Sequence, residues 1–485
     1  TIGFNASSAL VNLTQIPLFV YPYLGAQYGY AQTAAAIKQA GGITLNAKNS
    51  LRDFYDIDLD GNVSVISDPK MSVNMKQRLT DLIPLVREAS GRGQLISQSY
   101  LAESIGLDEA SRVKPKSLID MLSGVSAYMF NHAEKFNRQN TMIAAYNLHL
   151  QKLKDDKSVT LSLAEMQQAA ADQAIYMTQE ANGGAYLETG PSLARENIGR
   201  VALMYKSYGL QMYYSMFKKA FEVLDSTLTG KERMDAAKVL LGLHGSALFF
   251  AGIQGIPIYG AVKLLANAFF LDDEEEDFDT LVRKQVQEGW YKGPLVALTG
   301  LDTASRTALT GLLIQENKYN PDPSLEETLG FYLGGPALSS ATRVIRGFED
   351  FGNGQIQRGI ENITPTAVSN SLKSLGRYSQ EGGVYSRRGD PIYDDMTTGE
   401  LMGVFFGIQP AGYTQASDKN RIIKGIDKAV NKKRSGLSKK YYIALRQNDV
   451  EGVLSTLDEI VAFNSRHPEA SLTPTSIRRS MNQHM

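Results

Sequence analysis

Residues Val239 to Val262 run for 24 positions without a Lys, Arg, Asp or Glu, and no other stretch constrains the fold as strongly. Leaving such a run in water costs about 25 cal/mol per Å² of apolar surface, so it must be covered by protein or by lipid. At 1.5 Å per residue, about 20 residues suffice to cross a bilayer. Ala247, Ala251 and Gly255 form a small-xxx-small face that lets helices pack closely in lipid. Five glycines and Pro257 make the run a mediocre soluble helix, whereas membrane helices tolerate both residue types. The competing expectation is a buried core hairpin that turns near Gly255-Ile256-Pro257. Both hold if the segment is buried in one state and inserted in another. The side chains expected to engage a membrane are Leu248, Phe249, Phe250, Ile253, Ile256 and Ile258. A second apolar stretch, Leu264 to Leu271, leads into the acidic run Asp272–Asp277. Consecutive carboxylates cannot converge on one ion without a folded loop, so that run reads as a solvated cap or turn.

Elsewhere the apolar period is helical. Helices are expected at Gln77–Ala89, Pro115–Phe130, His132–Gln151, Leu163–Thr178 and from about Ala194 to Leu224, with two short ones around Pro17 and Pro22 between Asn5 and Gln39. The exception is Phe54 to Ile66, where apolar residues alternate on both sides of Asp60-Gly61, a strong hairpin signal. The fold class that follows is all-α, elongated and multi-domain, with one small β-hairpin near residues 54–66. For 485 residues the length prior is roughly three domains. The organisation expected is 1–70 (N-terminal helices and hairpin), 71–229 (helical), 230–305 (apolar hairpin and following loop), 306–415 (Gly/Pro-interrupted helices) and 416–485 (basic C-terminal helices). The chain opens on Thr1 rather than Met, as a fragment or processed product would, and Thr1 to Leu10 lacks the basic start of a signal peptide.

With 50 basic and 51 acidic residues, bulk charge selects no partner, and any affinity for nucleic acid or lipid must come from local patches. One such patch is Lys419 to Arg446, ten Lys/Arg against the single acid Asp427. Its candidate DNA- or lipid-binding residues are Lys424, Lys428, Lys432, Lys433, Arg434, Lys439 and Lys440, with a solvated or partner-docking face as the bland alternative. Tyr205, Tyr208, Tyr213, Tyr214, Phe217 and Phe221 recur at helical spacing and are expected in a helix–helix core or an oligomer interface. Asp56-x-Asp58-x-Asp60-Gly61 imitates half an EF-hand loop, but Ser67 stands where the bidentate Glu belongs. The absence of cysteine removes disulfides, thiolate nucleophiles and Cys-ligated metals. None of the five histidines forms His-Glu-x-x-His, Ser246 is not in a nucleophile elbow and Gly230-Lys231 is not a P-loop. No catalytic residue, metal ligand or cofactor is expected.

Several short motifs, in order, resemble those of large polyvalent phage proteins. They are Ala133-Glu134-Lys135-Phe136-Asn137-Arg138 with Thr141 and Ala144-Ala145-Tyr146, then Met204-Tyr205-Lys206-Ser207-Tyr208. Gly293-Pro294-Leu295 and Gly300-Leu301-Asp302-Thr303-Ala304-Ser305-Arg306 follow. Later come Gly335-Pro336, Gly359-Ile360-Glu361, Pro365, Asn370, Lys373 and Glu381-Gly382, and then Arg388-Gly389-Asp390-Pro391, Glu400-Leu401, Gly407, Pro410 and Phe463–Pro468. The chain thus resembles the C-terminal region of internal virion (DNA-ejection) proteins of tailed bacteriophages, from about Asn5 to Arg479. The resemblance implies a structural protein inside the capsid that assembles in the core or on the portal. It would become part of a trans-envelope channel in the host envelope and periplasm during DNA ejection. The partners implied are further copies in a ring or stack, other ejection proteins, the portal, phage DNA and the host membrane. The alternative is a packaging tail for a virion-carried RNA polymerase or lytic transglycosylase whose active domain lies upstream. A cellular membrane-remodelling or toxin-like helical protein is the remaining rival.

Overall fold

The computed structural model describes residues 6–47, 50–58, 61–66, 68–92, 118–182, 207–269, 278–312, 342–364, 366–386 and 388–477. The fold is all-α, with two small antiparallel hairpins among the described residues. In the first, Tyr55–Ile57 pairs with Val63–Val65 in the register Tyr55↔Val65, and Asp58 accepts hydrogen bonds from the Asn62 backbone and side-chain amides at 2.7 and 2.8 Å. The second, Val384–Tyr385 against Pro391–Tyr393, lies where the sequence reads only as Gly/Pro breaks. Strands of two and three residues are too short to show alternation.

Three helix boundaries differ from the expected ones. Gln77–Ala89 is two helices, Val73–Asp81 and Ile83–Gly91, because Pro84 fits only in a first turn. The helices expected on either side of Asn131 are one, Leu118–Asp155, since nothing at Asn131 breaks a helix. Pro17 and Pro22 likewise occupy first-turn positions, of a π-helix (Ile16–Val20) and of the helix Tyr21–Tyr28.

The chain divides into two compact units, Thr1–Gly260 with Glu288–Glu316 and Glu327–Tyr413, and Ala261–Gln287 with Asn317–Glu326 and Thr414–Met485. In the first, Leu118–Asp155 is the central helix, packed by Leu163–Asn182, Tyr30–Thr44 and Ala6–Leu13. Ala170, Ala171 and Ala174 are fully buried and let Leu163–Asn182 approach Leu118–Asp155 closely, with Met142, Ile143 and Tyr146 buried in the same core. Buried polar groups are tied to backbone: Asn137 Nδ2 donates to Asn12 O at 2.6 Å, and Gln139 Oε1 accepts from Leu51 N at 2.9 Å. In the second unit, Ala411–Arg446 turns at Asn448 (φ 55) into Val450–Arg466, whose first turn is capped by Asp449. Val430, Leu437, Ile460, Phe463, Leu472 and Ile477 form the core there.

One core contact makes the first unit acid-sensitive. The Tyr28 hydroxyl meets His149 Nδ1 at 2.9 Å, and burial, helped by Lys152, holds the imidazole below its usual value. The unfolded chain therefore binds this proton more readily, so the stability His149 contributes is complete above about pH 6.5 and is lost as pH falls below it. Urea midpoints are expected to drop between pH 7 and pH 5, and to drop less in His149→Gln. Equal drops in both proteins would remove His149 as the cause.

Candidate functional site

The uncharged stretch is not a single helix. A capping box starts Gly230–Ala251: Thr229 N donates to Glu232 Oε2 at 2.8 Å, and Glu232 N donates back to Thr229 Oγ1 at 3.3 Å. This helix stops at Gly252 (φ 68), and a 3-10 turn, Ile253–Gly255, leads to a second helix, Pro257–Phe269. The first helix thus ends at Gly252, three residues before the expected turn near Gly255-Ile256-Pro257. The charge-free part of the first helix, Val239–Ala251, is 13 residues, or about 20 Å, against a hydrocarbon core of about 30 Å. By length and composition, Gly230–Ala251 as a whole is long and apolar enough to cross a membrane.

Backbone packing explains the position of the break. A β-carbon on Gly252 would lie 2.2 Å from Tyr291 O, and one on Gly293 (φ 101) would lie 2.6 Å from Gly252 N. Two glycine backbones touch, and neither position admits a side chain. Around this contact the carbonyls that a helix end leaves without partners are taken up by hydroxyls. Thr303 and Thr307 both donate to Phe250 O, at 3.3 and 3.5 Å, and Thr310 donates to Gln254 O at 2.8 Å.

The segment that supplies these threonines is held by charge. Asp302 is 3% exposed and Lys292 is 2% exposed, and Lys292 Nζ donates to Asp302 Oδ2 at 3.3 Å. The other carboxylate oxygen accepts from Ser305 N at 2.9 Å. Asp302 N donates to Gln409 O and Ala411 N to Gly300 O, both at 2.8 Å, which forms a bridge between Leu301 and Pro410. Arg306 donates to Gly407 O at 3.1 Å; burial lowers its pKa, with Asp302 opposing. Gly293-Pro294, Gly300–Arg306 and Gly407–Pro410, three of the motifs that carry the resemblance, therefore meet at the break.

The six apolar side chains singled out on this element are all at least partly exposed. Phe249 and Ile258 are 43% and 62% exposed, and Leu248, Phe250, Ile253 and Ile256 are half-buried. The opposite face, Val239, Leu243, Ala247 and Ala251, is core. The small residues expected to pack helices in lipid are thus used within this fold: Ala247 and Ala251 are fully buried, and Gly255 lies against Ala251 and Ala308. The aromatic helix, Ser207–Leu224, splits similarly. Met212 and Met216 enter the core and the Tyr213 hydroxyl donates to Leu309 O, while Tyr214, Phe217, Phe221 and Leu224 stand exposed. Of the expected stripe, Tyr213 packs against the core, whereas Tyr214, Phe217 and Phe221 face outward as an oligomer interface would require; Tyr205 and the Tyr208 side chain lie outside the described residues.

On the 36-residue basic helix, Lys424, Lys428, Lys432, Lys433, Lys439 and Lys440 are exposed and Arg434 is half-buried. At 100° per residue, Lys424, Lys428, Lys432 and Lys439 share one side, with Arg421 and Arg446 on the same line, opposite the buried Val430, Leu437 and Ala444. That line runs for about 37 Å. Lys433 and Lys440 lie off it, and Lys440 pairs with Glu459 at 2.5 Å. Arg421 and Arg446 were not singled out in sequence, although the helical period contains them. Asp60, Ser67, the acidic run Asp272–Asp277, Tyr205 and Gly335-Pro336 lie outside the described residues. Among the described residues, no three His, Asp or Glu side chains gather as metal ligands would. Compared with family models, curated proteins and solved structures, the chain matches none.

Proposed function

We propose that this chain is a structural, non-catalytic internal virion protein of a tailed phage, carried in the capsid core or portal region and forming part of a trans-envelope channel for DNA ejection. The observation that carries the reading is the clamped apolar break, with Phe249 and Ile258 facing outward beside it. A helix–turn–helix with 13 uncharged residues before the bend suits an element that dips into a bilayer beside copies of itself better than a lone spanning helix. The exposed aromatic face Tyr214, Phe217 and Phe221 supplies a surface for a ring or stack of copies, or for other ejection proteins and the portal. The line of lysines faces phosphates, of phage DNA or of anionic headgroups at the host envelope.

Flotation with phosphatidylglycerol vesicles and dye leakage test this reading. The comparison is with Phe249→Ser/Ile258→Ser, which changes exposed side chains and leaves the clamp intact. Removing two inserted side chains is expected to cost about 3 kcal/mol, or roughly 100-fold in partitioning, with leakage abolished. If wild type and variant, both folded, bind equally or not at all, the channel reading is wrong and a packaging role inside the capsid replaces it.

A further inference from the structure

A second apolar surface lies away from the break, in the same unit, and it is built inside out. Helix 342–352 packs on Ile356–Ile363 through Gly347 and Gly359, where a β-carbon would meet Ile363 and Phe351. The short connection between them makes the pair antiparallel. Asn362 Nδ2 donates to Asp350 Oδ2 at 2.7 Å and marks the inner side of the pair, which is polar. Asp350 is 1% exposed there. Glu361, equally buried, accepts through both oxygens from Arg377 of the π-helix Leu372–Tyr378, at 3.1 and 2.8 Å. Arg343 donates to Glu361 O and Thr364 O at 3.2 and 3.5 Å. Lys373, on that π-helix, is half-buried, and burial lowers its pKa to about 8, Glu361 opposing.

At 100° per residue, Ile345, Phe348, Ile356 and Ile360 fall on the other side of the pair, and they are 44–65% exposed. Charges matched by each other or by carbonyls occupy the interior, and the apolar side chains are left outside. An amphipathic pair in water does the reverse, so this face is built to be covered. The aromatic helix Ser207–Leu224 presents a face of the same kind, with Tyr214, Phe217, Phe221 and Leu224 60–76% exposed. At about 200 Å² per large side chain, the exposed parts of the eight amount to roughly 1,000 Å², where specific interfaces begin. A two-fold pairing of the aromatic face with itself would end at two copies and leave the second face in water. A ring or stack needs two different faces on every copy, each complementary to the other.

We propose that these faces are the two halves of one head-to-tail interface, in which the aromatic helix of one copy docks on Ile345, Phe348, Ile356 and Ile360 of the next. The inference rests on the reading of this chain as one of several assembled copies, and it names the surfaces that join them. Tyr214, Phe217, Phe221 and Phe348 supply the aromatic anchors in which the buried centres of such contacts are enriched.

Sedimentation velocity of the full chain tests the pairing with two variants, Phe217→Lys/Phe221→Lys and Phe348→Lys/Ile356→Lys, each altered only at exposed positions. Wild type is expected to assemble beyond two copies. Each variant should associate at least about 100-fold more weakly and sediment as a monomer where wild type is assembled. An equimolar mixture of the two should form a one-to-one dimer and grow no further, because each retains the face that the other has lost. Serine at the same positions is the milder substitution for any variant whose urea midpoint falls below that of wild type. A dimer of either variant alone, or a mixture that stays monomeric, overturns the pairing. Wild-type assembly that survives the change at Phe348 and Ile356 overturns it too and leaves the proposed function standing. A wild type that stays monomeric overturns this interface and the ring together, while dye leakage by that monomer would leave the apolar break as a membrane element.

Discussion

Replacing Glu361 by Gln is expected to remove about 3–5 kcal/mol of stability, because it leaves Arg377 buried without its counter-charge. The amide keeps the shape of the carboxylate and can still accept one of the two Arg377 hydrogen bonds, so the loss reports charge rather than packing. Lys373→Met should behave oppositely and leave the protein as stable or more so near neutrality. Its sign follows from proton linkage. The folded pKa, about 8, lies below the unfolded one, so the unfolded chain holds more protons between about pH 8 and 10.4. Wild-type stability should therefore rise through that window as far as the carboxylates and tyrosines allow, and the rise should be missing from Lys373→Met. Urea denaturation of the three proteins at pH 7 and pH 9.5 measures both effects. A Glu361→Gln loss under about 1 kcal/mol would mean that water reaches the pair and that it ranks with surface ion pairs.

Asp302→Asn should cost a similar amount, about 3–5 kcal/mol, and part of the cost should be local. Lys292 would remain buried, and the segment that brings Thr303, Thr307 and Thr310 to the Phe250 and Gln254 carbonyls would lose its anchor. Amide exchange between residues 249 and 256 is expected to accelerate more than exchange in Leu118–Asp155. The double change Lys292→Met/Asp302→Leu should recover most of the loss, since an apolar pair of similar volume often replaces a buried ion pair without penalty. Uniform acceleration across the first unit would instead make the pair a global prop rather than a clamp on the break. Vesicle binding by Asp302→Asn at lower protein concentration than wild type would tie the clamp to membrane engagement.

Local rules account for much of the architecture. The hairpin of Tyr55–Ile57 with Val63–Val65 follows from alternation along the sequence, and Leu163–Asn182 from helical period. The continuous helix through Asn131 and the division at Leu82 depart from the periodic pattern, because periodicity does not register where a proline can sit in a helix. The break at Gly252 was less accessible. Its cause is the backbone of Gly293, 41 positions away, and no local pattern distinguishes Gly252 from Gly245 or Gly255. The same limit applies to the charge groups. Asp302 and Lys292 are ten residues apart and plain in sequence, but nothing in sequence shows that both are out of water. The lysine line follows from the 100° step alone, which also places Arg421 and Arg446 on it.

The contact between Gly252 and Gly293 separates where the apolar element bends from what it displays. The bend is fixed by main-chain atoms, which are the same whatever residues surround them. Substitutions at Leu248, Phe249, Ile253 or Ile258 can therefore accumulate and retune the outward surface for a different membrane or partner while its position stays constant. The hinge point tolerates no such drift, since neither glycine can compensate for a side chain added to the other. A lineage of such chains would be expected to hold this pair fixed at the centre of a freely varying apolar surface.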